Sequence, residues 1–263
     1  MKAAMDIAGF KSFVEEHERT RPSVNVEIEG VALRYLTPNG RCLWRVQTLA
    51  SKEPVTLQWL NRIPNDACLL DIGANVRMYS IYAGVVRKAR VFAFEPEAQN
   101  YAVLCGNIRL NGLSDRVIAW SAALSDETKF DRIYLSDGDI GGSCHTFGAA
   151  LDANLEPANH PFTQGCFATT VDALVADGAI EMPQFIKIDV DGLEHKVIKG
   201  AAATLKDSRV HSVIIEINSN LGEHRAVIDH LEMLGFRHDP RQFQDAQRKD
   251  GLFKGVGEYV FER

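Results

Sequence analysis

The chain has 263 residues, a formal net charge of −6, 46% hydrophobic and 24% charged residues. This composition excludes disorder, collagen and coiled coil, and an acidic balance without a basic patch argues against nucleic acid as the partner. No apolar run approaches the ~20 residues that cross a bilayer, and five scattered cysteines without a Cys-x-x-Cys read as reduced thiols of a cytoplasmic protein.

The first residues carry charges where a signal peptide has its apolar core, so secretion is not expected. An amphipathic helix (Ile7, Phe10, Phe13, Val14) is followed by the period-2 run Val24–Ile28, which predicts part of a β-hairpin. Residues 1–66 thus read as an N-terminal cap on a domain spanning 67–263. Glu53-Pro54-Val55-Thr56 reads as a helix start. Then come short apolar runs, Cys68–Ile72, Val91–Phe94, Val117–Trp120, Phe185–Ile188 and Ser212–Ile215, of the kind expected for strands buried on both faces. Helical patterns separate them: Met78–Val86; the stripe Tyr101, Leu104, Cys105, Ile108 closed by Asn111-Gly112; the stripe Leu193 to Leu205; and Val227, Leu231, Leu234 before Gly235. The alternation predicts an α/β fold with a mostly parallel sheet and helices on both faces, closed by strands near Phe236 and Gly257–Phe261. Residues 126–182 interrupt it with Arg132–Leu135 and a polar, Gly-rich stretch from Asp137 to Phe147. They read as an insertion over the carboxyl edge of the sheet, where open α/β sheets bind ligands. Trp44, Trp59 and Trp120 read as packing residues.

Asp71-Ile72-Gly73-Ala74-Asn75 leaves the first core strand and enters a helix. Gly73 permits a tight turn and a close approach, and the helix start offers free N–H groups. Asp71 there could receive a cationic amine, so the loop suits a zwitterionic amino acid; the plainer reading is a structural turn. Phe94-Glu95-Pro96 ends the next strand, where a carboxylate can accept both hydroxyls of a ribose or, more simply, face a helix dipole. A nicotinamide-dependent oxidoreductase needs G-x-G-x-x-G, and only one glycine is present, which favours S-adenosylmethionine.

These blocks resemble the FkbM family of S-adenosylmethionine-dependent O-methyltransferases. The resemblance rests on Asp71–Asn75 with Tyr79-Ser80, on Phe94–Pro96 with Asn100-Tyr101, Asn107-Ile108 and Leu110–Gly112, and on Lys187–Glu194 with Val197–Ala201. It implies a class I, Rossmann-like methyltransferase fold: a seven-stranded sheet with its last strand antiparallel. It also implies methyl transfer (EC 2.1.1) to a hydroxyl of a carbohydrate or secondary metabolite, a small-molecule or glycan acceptor, with a homo-oligomer left open. By resemblance the cofactor lies on Asp71, Gly73, Ala74, Asn75, Tyr79 and Ser80, with Glu95 at the ribose beside Pro96 and Asn100, and Ser121-Ala122 at the adenine edge. One departure is Arg77, where the family carries glycine. It points to solvent, pairs with Asp71 or the cofactor carboxylate, or obstructs the pocket and leaves a weak or inactive protein.

In Asp189-Val190-Asp191-Gly192-Leu193-Glu194-His195, alternation aims Asp189 and Asp191 the same way. Two convergent carboxylates serve as a general base for the acceptor hydroxyl, or with Glu216 as oxygen ligands for Mg2+. Asn218 lies beside them. His195 and His145 are further candidates for the base, and a turn with a helix cap is the bland reading of Asp191-Gly192. Lys187, inside a core strand, needs a carboxylate partner or a catalytic role.

Overall fold

A computed structural model describes residues 7–76, 78–251 and 253–263. Arg77, on which the three readings above turn, lies outside the described residues. Helix α1 (Ile7–Thr20) leads into the hairpin β1 (Ser23–Ile28) and β2 (Val31–Leu36). The apolar side of α1 is not buried: Ile7, Phe10 and Phe13 are all exposed. Helices α2 (Gly40–Gln47) and α3 (Pro54–Arg62) follow, the first absent from the sequence reading because only about two turns of mixed polarity mark it.

The alternating region then runs β3 (Cys68–Ile72), α4 (Met78–Val86), β4 (Arg90–Phe94), α5 (Ala98–Leu110) and β5 (Val117–Trp120). Next are β6 (Ala123–Leu124), β7 (Lys129–Leu135), β8 (Thr146–Phe147) and β9 (Phe162–Thr169), which pair as a separate four-stranded sheet in the order β6-β9-β7-β8. Helix α6 (Val171–Ala176), β10 (Phe185–Ile188), α7 (Glu194–Gly200), β11 (Ser212–Asn218), α8 (Gly222–Met233), β12 (Arg237–His238), α9 (Pro240–Ala246) and β13 (Val256–Glu262) complete the chain. The stripe expected from Leu193 to Leu205 is broken, its end forming a 3-10 turn at Thr204–Lys206.

Among the described residues the central sheet has seven strands in the order β12-β13-β11-β10-β3-β4-β5, and β13 runs antiparallel to β11. Strand residues alternate between two cores. Leu70, Ile72, Phe92, Phe94, Ile186 and Ile188 pack on one face with α7 and α8, and Leu69, Val91, Ala93 and Ile214 pack on the other with α3 and α4. Burial on both faces explains why these strands read as uninterrupted apolar runs. The hairpin is tied to that second face by side-chain amides: Asn107 Oδ1 accepts from Leu36 N (2.7 Å) and Asn111 Oδ1 from Arg34 N (2.9 Å). Tyr35 donates to Met78 O at 3.0 Å.

Candidate active site

A cleft opens at the carboxyl ends of β3, β4 and β10, under the segment 136–145. Gly73 forms part of its floor at φ +72°, and a Cβ there would stand 1.7 Å from the carbonyl oxygen of Asp189. This glycine is required by the exit of β10 pressing on the exit of β3, a contact between backbones. Asn75, also at positive φ (51°), donates through its backbone N–H to Glu95 Oε2 at 2.7 Å and through Nδ2 to Gly142 O at 2.6 Å. Glu95 Oε1 accepts from Glu97 N at 2.9 Å, so the carboxylate is set by two backbone amides at the mouth of the β4 exit. Asn100 completes the tether: its Oδ1 accepts from Gly141 N (2.7 Å) and its Nδ2 donates to Gly142 O (3.3 Å). Asn75 and Asn100 thereby hold the glycine pair of the 136–145 segment over the cleft. The far wall is apolar, with Ala122, Leu124, Ile133, Phe147 and Leu193 beside Pro96. A narrow apolar wall next to an oriented carboxylate suits a flat heteroaromatic ring joined to a diol.

Asp189 and Asp191 both line this cleft, from the turn that follows β10. Their environments push them apart. Burial works to raise Asp189, but Lys187 (Nζ to Oδ2, 3.1 Å) and Lys52 outweigh it and hold the carboxyl below its usual value. Burial and the neighbouring Asp189 charge push Asp191 up to about 7, against the hydrogen bond its Oδ2 accepts from Cys144 N at 2.8 Å. Asp191 itself sits at φ +55° ahead of Gly192 at +109°. Its side chain does not cap α7, because Glu194 takes the Val190 and Gly192 amides instead. A carboxyl poised near neutrality beside one kept ionised is an arrangement suited to proton transfer. Lys187 is 5% exposed, and its partner is Asp189.

Several expected residues stand elsewhere. Asp71 and Ser80 are buried between β3 and α4, where the Ser80 hydroxyl donates to the Asp71 carboxylate; neither lines the cleft. The reason is alternation, which turns Asp71 to the face opposite Leu70 and Ile72. Ser121 is exposed beyond β5, while its neighbour Ala122 faces inward. Ala74 and Tyr79 line an adjoining cavity together with Arg45, Lys52 and Glu53; Gly73, Asn75 and Asp189 are common to both spaces. Glu53 occupies the N-cap of α3 but caps nothing, its carboxylate accepting from Lys52 Nζ at 2.7 Å. Lys52, Arg45 and Glu258, the last pushed up to about 7 by burial and by Glu53, were not singled out in the sequence, since only spatial neighbours reveal them.

His195 lies on α7 away from the cleft, half-buried against the ring of His224 at 6.1 Å, so it is no candidate base. His145 does line the cleft, but its Nδ1 accepts from Ser136 N at 3.2 Å, which places the single proton of a neutral ring on Nε2. Burial lowers its pKa, so at neutral pH His145 offers a donor to the cleft and no basic lone pair. The Mg2+ reading also fails on the donor set. Glu216 is engaged by Arg248 at 3.2 Å and Asp189 by Lys187, and among the described residues no three carboxylate, histidine or cysteine side chains converge to hold an ion. Trp59 is buried as expected, but Trp44 is 47% exposed and Trp120 is 37% exposed, stacked on Phe94.

Comparison with known proteins gives the following. Residues 71–238 match the family model described as the methyltransferase FkbM domain. The hexuronic acid methyltransferase AglP of Haloferax volcanii is 28% identical over 208 residues, covering 76% of this chain and 77% of that protein. The AMB antimetabolite synthetase AmbE of Pseudomonas aeruginosa is 28% identical over 226 residues, which is 75% of this chain but 10% of the synthetase. Among solved structures, a precorrin-6y C5,15-methyltransferase from Geobacter metallireducens GS-15 superposes with a TM-score of 0.46 at 14% identity, over 80% of this chain and 86% of that one.

Proposed function

The chain belongs to the FkbM methyltransferase family, and from that premise we propose that it transfers a methyl group from S-adenosylmethionine to a hydroxyl of a carbohydrate or related secondary metabolite. The observation that carries this reading is the convergence of three separate chain segments, at Gly73–Asn75, Glu95-Pro96 and Asp189–Asp191, on one cleft. When bound, the donor supplies a methyl carbon on a positively charged sulfur. Glu95 receives the ribose hydroxyls, and Pro96, Ala122, Leu124 and Phe147 enclose the adenine. Asn75 and Gly73 line the passage toward the adjoining cavity, where Ala74 and Tyr79 meet the methionine end.

Asp191 takes the proton of the acceptor hydroxyl as the oxygen bonds to the methyl carbon and the carbon–sulfur bond breaks. The donor leaves as neutral S-adenosylhomocysteine. Asp189, kept ionised by Lys187, raises the basicity of Asp191 and would help to hold the cationic donor in the cleft. His145 donates to an acceptor oxygen from Nε2. No step is assigned to a metal ion.

Likeness to a hexuronic acid methyltransferase favours a sugar acceptor, and the formal charge of −6 favours a small molecule or glycan over nucleic acid. All five cysteines are free thiols, which suits a reducing compartment such as the cytoplasm; among the described residues no helix is long and apolar enough to cross a membrane. In this reading residues 67–263 are the catalytic domain, 1–66 its cap, and 126–182 an insertion toward the acceptor.

The test is calorimetric titration of the protein with S-adenosylhomocysteine. Binding is expected, and Glu95→Ala should weaken it by about tenfold or more through loss of charged hydrogen bonds. An unchanged affinity would remove Glu95 from the ribose site, and no binding at all would overturn the donor assignment.

A further inference from the structure

Helix α2 buries Cys42 and Val46, turns Trp44 to the opposite side and leaves Arg41 and Arg45 on the flank. These three side chains face the 136–145 segment across a groove. The groove adjoins the site already described. Ser143 lines both the groove and the cleft, and Arg45 lines both the groove and the adjoining cavity that contains Asp189. Resting on the assignment of this chain as a sugar O-methyltransferase, we propose that the groove is the acceptor subsite and that it selects a sugar bearing a carboxylate.

Two side chains carry the proposal. The first is Trp44. Trp44 is 47% exposed and lines the groove, so about half of a large apolar side chain stands open beside it. Its flat face matches the C–H face of a pyranose ring. The second is Arg45. The other cation of the groove, Arg41, is committed to Asp137 (2.8 Å) and Asp139 (3.4 Å). Arg45 spends only Nε, on Gly141 O at 2.9 Å, and among the described residues its two terminal nitrogens have no hydrogen-bond partner. They form a planar fork held half-buried by the Nε bond, with the geometry for end-on, two-point binding of a carboxylate.

The neighbouring acids do not consume this fork, since Asp189 is paired with Lys187 at 3.1 Å. Arg45 nonetheless lies close enough for its charge to favour the ionised forms of Asp189 and Asp191. A carboxylate seated on Arg45 therefore brings the hydroxyls of the same ring toward Asp191. The one competing source of the same chemistry is the carboxylate of the donor's methionine, which would reach Arg45 from the adjoining cavity.

The experiment follows tryptophan fluorescence and heat on titrating the full chain with methyl glucuronide, methyl galacturonide and the corresponding neutral glycosides, with and without saturating S-adenosylhomocysteine. At least one uronide should bind about tenfold tighter than its neutral counterpart. Arg45→Gln should abolish that preference and Arg45→Lys retain part of it, while Trp44→Ala should weaken uronide and neutral glycoside alike and leave S-adenosylhomocysteine affinity unchanged. Equal binding of charged and neutral sugars, no uronide binding up to about 10 mM, or uronide affinities unaltered by the substitutions would each overturn the proposal. So would loss of S-adenosylhomocysteine affinity in Arg45→Gln with uronide binding intact, which would assign the fork to the donor. Failure of the donor reading registers separately, as wild-type protein that takes up no S-adenosylhomocysteine in a titration where the sugars are absent.

Discussion

Asp191 is a carboxyl whose surroundings oppose its charge. Burial and Asp189 together keep its proton until about pH 7, and a single backbone N–H from Cys144 resists them. A folded-state pKa above the unfolded one means that the native state holds the proton longer. The contribution of this group to stability is full below the unfolded carboxyl range and is lost as pH rises through about 7. Three outcomes follow, two of them for Asp191→Asn, which still accepts from Cys144. Turnover should fall by about 10²–10⁴-fold with S-adenosylhomocysteine affinity intact, and wild-type kcat should climb with pH to a plateau above about 7. The variant should also melt at a higher temperature than wild type at pH 8, an advantage that disappears below about pH 4, where both side chains are neutral. A lower melting temperature at pH 8 would mean that the carboxylate is better accommodated than its surroundings suggest. At this scale residue type was legible in the chain and role was not. Asp189 and Asp191 stood out as a pair, but which one is basic depends on Lys187 and Lys52 lying on the side of Asp189. His195 and His145 looked alike in sequence, and only the Ser136 N–H distinguishes a donor ring from a remote one.

Helix α7 carries a glycine, Gly200, at its last residue, where helix propensity alone makes alanine better by about 1 kcal/mol. Here a Cβ would stand 2.0 Å from the carbonyl oxygen of Ser125. Gly200→Ala should therefore destabilise, lowering the melting temperature by about 5 °C or more. Gly222→Ala in α8, where nothing lies within 4 Å, should be neutral or stabilising in the same scan. Equal shifts for the two would show that the α7–Ser125 approach relaxes freely. Elements of this kind were readable where their apolar pattern was continuous. Cys68–Ile72, Met78–Val86 and Phe185–Ile188 stand in the structure with those same bounds, because their burial is decided by neighbours on every side; Val117–Trp120 keeps its bounds as well, but as the edge strand, with Ile118 45% exposed, and not as a strand buried on both faces. Helix α2 was not readable: eight residues with two buried positions carry too little periodicity. The apolar side chains of α1 were readable as a helix stripe, yet they remain exposed.

Across the molecule, the 136–145 segment joins what the chain keeps far apart. It is held by Asn75 and Asn100 from below and by Asn39, Arg41 and Arg45 from the side. A ligand that fills the cleft touches β3, β4, β10 and this segment at once, so binding should stabilise the whole fold and not one loop. S-adenosylhomocysteine at a hundred times its Kd should add about 2.7 kcal/mol, read as a single melting transition displaced upward by several degrees. A displacement confined to a separate minor transition would show that the cleft and the core unfold independently.

The parallel strands, the glycine turn after β3, the acid after β4 and the acidic turn after β10 were determined by the sequence alone. Each depends on a few contiguous residues, and apolar runs and turn chemistry act locally. Only the tertiary structure decided that Arg45 keeps an open fork while Arg41 is paired, and that both face the 136–145 segment. These outcomes come from contacts between residues nearly a hundred positions apart, and electrostatic and packing forces depend on distance through space, to which separation along the chain is no guide.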